Sequence, residues 1–190
     1  MSILFNCLIF FITLTLTVGF FRKDGKWDAA RGKKAFRFFT VQSNVLCAFS
    51  ALFLCLFPNV RWVWLLKYTG TAAVCVTMLT VLLYLGPMAG YKKLLSGPDL
   101  FMHLITPLLA LISFTVFEKR GMSFSESLWG LVPVVLYGSL YLYKIIIAPP
   151  DKAWEDFYGF NQGGKYLLSM TAMFFGTFLI CMGLMALQNL

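Results

Sequence analysis

Charge is scarce in this chain. Of its 190 residues only 13% are Asp, Glu, Lys or Arg, and the acids number 8. One histidine is present, His103, and the five cysteines show no CxxC spacing. A structural zinc site, an iron–sulfur cluster and a haem held by two axial histidines all need donor sets that these residues do not supply. No metal and no cofactor is therefore expected. No Gly-rich phosphate loop, internal repeat or low-complexity tract interrupts the sequence. Nucleic acid is not an expected partner despite the net charge of +8, because the basic residues stand at the ends of apolar runs, where they anchor to anionic headgroups. Cys7, Cys47, Cys55, Cys75 and Cys181 lie inside those runs and read as small apolar packing residues.

What the chain has in abundance is hydrophobic sequence, 59% of it. The apolar runs lie at about residues 2 to 21, 38 to 57, 64 to 86, 99 to 117, 127 to 148 and 166 to 187, each near the length needed to cross a bilayer core. The expected fold is all-α: a polytopic membrane bundle of six transmembrane helices, one domain over residues 1–190, with the lipid bilayer as its surroundings. The first run carries no basic residue before its apolar core and no small-residue cleavage site after it, so it is expected to stay on the mature protein. Arg22, Lys23, Lys26, Arg31, Lys33, Lys34, Arg37, Lys92, Lys93, Lys144, Lys152 and Lys165 fall on one face, against Arg61, Lys67, Lys119 and Arg120 on the other. The positive-inside bias then puts both termini outside.

Polar side chains in lipid are costly and turn toward protein or a water-filled cavity. Residues three, four and seven apart share a helix face. That rhythm aligns Thr40, Ser43, Asn44 and Cys47 in the second run, Gly70, Ala73, Thr77, Thr80 and Tyr84 in the third, and Asp99, His103, Thr106, Ala110 and Ser113 in the fourth. Tyr137, Tyr141 and Lys144 form the fifth stripe, and Ser169, Ala172, Gly176 and Gly183 the sixth, as small positions for close helix approach. The second and fourth runs both enter from the basic face, which sets Thr40 and His103 at one depth. The loop "PPDKAWEDFYGFNQGGK" opens on that side with Trp154, Tyr158 and Asn161, so together with Tyr84 these are candidates for a substrate mouth.

Asp99 precedes His103 by four residues, the spacing at which a carboxylate can hold one ring nitrogen and leave the other as a base. Imidazole beside a hydroxyl is the arrangement that activates a weak alcohol nucleophile. Thr40 and His103 are thus the candidate catalytic pair, with Asp99, Ser43 and Asn44 as orienting or oxyanion candidates and main-chain N–H groups at a helix start as further donors. Structural duties stand beside each of these roles. A hydroxyl in a membrane helix ordinarily bonds its own preceding carbonyl, Asp99 follows Pro98 where a carboxylate suits the helix dipole, and Asn44 suits a bond to a neighbouring helix.

The strings "FRFFTVQSNVL", "DLFMHLITPLLAL" and "WEDFYGFNQGG" resemble, in order and spacing, the bacterial six-helix integral membrane proteins of the Pr-six-Pr family. That family is distantly similar to the androgen-induced-gene and androgen-dependent TFPI-regulating proteins, multi-span threonine hydrolases of fatty acid esters of hydroxy fatty acids. The resemblance implies a bacterial cell membrane and a lipid ester hydrolase that takes a membrane lipid or fatty acyl ester as its substrate, with Thr40 as nucleophile and His103 as base. The alternative is a non-enzymatic protein: a lipid or small-molecule carrier, or a structural bundle whose polar core only ties helices together.

Overall fold

A computed structural model describes Met1–Leu190. Its eight helices are α1 (Ser2–Phe20), α2 (Ala29–Ala35), α3 (Phe39–Leu56), α4 (Arg61–Ala89), α5 (Tyr91–Leu94), α6 (Gly97–Phe117), α7 (Phe124–Ile147) and α8 (Tyr166–Asn189). All but α2 and α5 are long and apolar enough to cross a membrane, and the chain is an all-α bundle of those six. The one strand pair, β1 (Arg22–Lys23) and β2 (Lys26–Trp27), is a hairpin. Its turn is Asp24-Gly25 with both φ positive, 51° and 78°, the sequence and geometry of a two-residue primed turn.

α4 is the central helix. Half of its most apolar stretch is buried, against 17% for α1 and 22% for α7 and α8. It packs on α3, α6, α7 and α8, while α1 covers α3 and α6. The close α3–α4 contact is made at Gly70, where an added Cβ would lie 2.8 Å from the Cys47 Cα and 2.7 Å from the Ser50 hydroxyl. At Gly130 an added Cβ would meet the Cys181 sulfur and the Tyr68 hydroxyl.

Three helices carry wide, π-type turns: Val81–Leu85 in α4, Phe101–Ile105 and Ser113–Phe117 in α6, and Tyr143–Ile147 in α7. Val81–Leu85 and Phe101–Ile105 each end two residues before a proline inside the helix, Pro87 and Pro107. A proline has no N–H to give the carbonyl four residues back, and its ring crowds that carbonyl. The preceding turn therefore opens to i→i+5 bonding, a form often found at functional sites.

Two expectations fail. Gly176 and Gly183 have nothing within 4 Å of an added Cβ, so they are not points of close approach; α8 turns Met170, Thr177, Cys181, Leu184 and Gln188 inward instead. Lys67 does not stand at the bundle surface. The third span begins at Arg61, three residues before the apolar run, and Lys67 is wholly buried inside it.

Candidate functional site

α3 begins at Phe39 after an extended Phe38, so its first N–H groups have no helical acceptor. Thr40 sits in this first turn. Its hydroxyl lies 3.2 Å from His103 Nε2, across 63 residues of sequence. The other ring nitrogen, Nδ1, is 2.7 Å from the Leu94 carbonyl oxygen. A carbonyl only accepts, so Nδ1 carries the ring proton and donates it there. In the neutral imidazole Nε2 is then the bare nitrogen and accepts from the Thr40 hydroxyl.

Asp99 is not the partner of His103. It is exposed and makes no side-chain hydrogen bond, and the Leu94 carbonyl takes the place the sequence suggests for it. The reason is the Pro107 turn. Between Asp99 and His103 the helix passes into the wide form, in which a residue no longer stacks over the one four before it.

Ser43 and Asn44 are buried beside Thr40 but spend their donors elsewhere. The Asn44 amide donates to the Thr40 carbonyl at 2.8 Å and the Met102 carbonyl at 3.0 Å, which uses both its hydrogens. The Ser43 hydroxyl lies 3.1 Å from the Thr40 carbonyl and 2.8 Å from the Thr77 hydroxyl. Neither is placed as an oxyanion donor. Both pin the turn that carries Thr40, and Asn44 ties it to the His103 turn through Met102.

Tyr158 is the donor that the sequence reading left unassigned. The Phe39 N–H donates to its oxygen at 3.0 Å, while its own proton goes to no protein acceptor. Burial pushes this hydroxyl up to about 12, against the pull of the Phe39 N–H, the Tyr137 hydroxyl and the Thr40 N–H, so at neutral pH it is a protonated donor. It is held by its loop: Asp156 accepts from the Tyr141 hydroxyl at 2.7 Å and from the N–H groups of Phe160 and Asn161, and the Tyr158 N–H donates to the Tyr141 oxygen at 3.1 Å.

Thr40 and Tyr158 line a narrow cleft whose other walls include Phe39, Tyr137, Phe160 and Met170. His103 lies behind Thr40, 8% exposed. A wider groove of about 700 Å³ between α4 and α8 shares Thr80, Phe160 and Met173 with this cleft and opens along the helices. Of the mouth candidates, Tyr158 lines the cleft and Tyr84 the groove, whereas Trp154 and Asn161 line neither. Trp154 packs instead near Tyr141 and under Arg37.

The geometry defines a class of site: a hydroxyl and an imidazole in hydrogen-bond contact at the end of a membrane-type helix bundle, beside an apolar cleft. No protein-family model, curated protein or solved structure matches the chain.

Proposed function

We propose that the protein is an intramembrane hydrolase of lipid esters with Thr40 as nucleophile and His103 as base. The observation that carries this reading is the 3.2 Å contact between Thr40 Oγ1 and a His103 Nε2 freed for it by the Nδ1–Leu94 bond. The acyl chain lies in the cleft and the α4–α8 groove, whose walls are mostly apolar, with the ester carbonyl at Thr40. Nε2 takes the Thr40 proton as Oγ1 attacks that carbonyl. The Tyr158 hydroxyl stabilises the negative oxygen. The imidazolium then protonates the leaving alcohol. Water, deprotonated by Nε2, releases the fatty acid from the threonine ester. Resemblance to the Pr-six-Pr family and the threonine hydrolases supports the same pair and suggests esters of hydroxy fatty acids.

The test is turnover of fluorogenic acyl esters by the purified protein in lipid. Thr40→Ala and His103→Ala, each with wild-type thermal stability, should lower turnover by about 10²-fold to 10⁴-fold, the range for loss of an acid–base group. Undiminished turnover in either variant rules the pair out. An activity-based hydrolase probe separates the alternative: labelling that disappears with Thr40→Ala supports the enzyme, and lipid transfer between vesicles without hydrolysis supports a carrier.

A further inference from the structure

Seven buried side-chain polar atoms have no hydrogen-bond partner within the protein, and all seven lie in the first four membrane-length helices or on Glu118, which follows the fourth directly. Two of them are chargeable, Lys67 Nζ and Glu118 Oε2. Lys67 is 0% exposed and Glu118 5%. Both stand at the end of the bundle opposite Thr40 and His103: Lys67 is six residues into α4, about 9 Å along it, and Glu118 is fifteen residues beyond His103, about 20 Å away.

Glu118 is held in place. Its Oε1 accepts from the Ser2 hydroxyl at 2.8 Å, the Asn6 amide at 2.6 Å and the Ser113 hydroxyl at 2.7 Å, and its main-chain carbonyl accepts from the Trp64 indole at 2.8 Å. Trp64 and Lys67 are three residues apart on one face of α4, and a helical side chain leans back toward the N-terminus. Lys67 therefore reaches toward the Trp64 level, where Glu118 sits. The two charges are farther apart than a direct ion pair, since Arg61–Glu126 is the one salt bridge. α1 flanks Glu118, to which its Ser2 and Asn6 donate. Its buried residues are Asn6, Ile9 and Thr13, so this helix turns two polar side chains inward, and Asn6 Oδ1 and Thr13 Oγ1 are also unpartnered. The ammonium brings three donors, and Asn6 Oδ1 and Glu118 Oε2 are unpartnered acceptors at the same end of the bundle. Water, which donates and accepts, is the molecule that satisfies both sets.

We propose that Lys67 and Glu118 form a second intramembrane site, a water-bridged ammonium–carboxylate pair that binds one exchangeable proton. The proton moves between the Lys67 amine nitrogen and Glu118 Oε2 through the bridging water and needs no other reactant. Other titratable groups around the pair are the thiols of Cys7 on α1, Cys47 and Cys55 on α3, and Cys75 on α4. Tyr68 donates to the Ser127 carbonyl, Cys181 on α8 lies beside the Tyr68 hydroxyl, and Arg61 is held by Glu126. Of the cations next to Glu118 in the chain, Lys119 is exposed and Arg120 donates to the Pro58 carbonyl. Ionisable groups inside a bundle are rare, and those that occur mark ion and proton pathways.

Infrared titration of the full chain in lipid nanodiscs tests the site, with Glu118→Gln as the blank that isolates one carboxyl band. Lys67→Met should move the midpoint of that band by at least tenfold in proton concentration, and Lys67→Arg, which keeps the charge, should restore most of the shift. An unmoved midpoint in Lys67→Met overturns the proposal. Thermal inactivation rates give an independent reading should a single variant fold poorly. Removing one member of a buried pair strands the other, whereas removing both does not. Lys67→Met and Glu118→Gln should each accelerate inactivation several-fold, with the double variant slower than either; accelerations that simply multiply overturn the pair.

Discussion

At the residue scale, the site turns on which atoms have protons to give. His103 Nδ1 is committed to the Leu94 carbonyl, Asn44 has no donor left, and Tyr158 keeps its own. Two predictions separate these roles. Tyr158→Phe keeps the ring in its aromatic setting of Tyr137, Tyr141 and Phe160 but removes the proton aimed at the developing oxyanion. Turnover should fall about 10²-fold, the lower end for loss of one such donor, with little change in KM for a long-chain ester. Asp99→Asn should leave turnover within about twofold, because Asp99 neither touches His103 nor lies buried; surface substitutions of this kind are usually near neutral. Steady-state kinetics on one ester checks both. A large loss in Asp99→Asn overturns the Leu94 carbonyl as the group that fixes the imidazole.

At the element scale, helix periodicity carried much of the reading. Ser43, Asn44 and Cys47, Gly70, Ala73 and Thr77, and His103, Thr106, Ala110 and Ser113 are all buried as their spacing implies, because a bundle hides whatever stripe lipid rejects. Where periodicity misled, the helix itself departs from 3.6 residues per turn. The Asp99–His103 pairing assumed an unbroken α-helix, and Pro107 breaks that assumption. The π turn also accounts for where His103 points. Pro107→Ala returns an N–H to the His103 carbonyl and lets the turn close to α form. A register change of one residue swings a side chain by about 100°, enough to take Nε2 away from Thr40. Pro107→Ala should therefore cut probe labelling of Thr40 by at least about tenfold while the melting temperature stays equal or rises, since an interior proline costs about 3 kcal/mol in a helix. Labelling at the wild-type level shows that the turn does not set the dyad. The Tyr158 loop lay beyond periodicity altogether: its shape comes from Asp156 gathering a side chain and two main-chain N–H groups, a convergence with no sequence rhythm.

At the scale of the whole molecule, composition was enough for the six spans, while Lys67 shows what composition conceals. A lysine near a span end looks like a headgroup anchor, and only the folded bundle reveals that Lys67 is wholly buried. An even number of spans puts Ser2 and Leu190 at the same end, together with Arg61 and Glu118, and puts Thr40, the Tyr158 loop and most of the basic residues at the other. On the positive-inside rule that second end is expected to face the cytoplasm. With the five native cysteines replaced, a cysteine at Ser2 or Leu190 should react with an impermeant thiol reagent added outside intact cells, and one at exposed Gln162 only after the membrane is opened. Reaction at Gln162 in intact cells reverses the orientation and puts the cleft on the outer face. Reaction at just one of the two termini removes a span from the count, and with it the shared depth of Thr40 and His103.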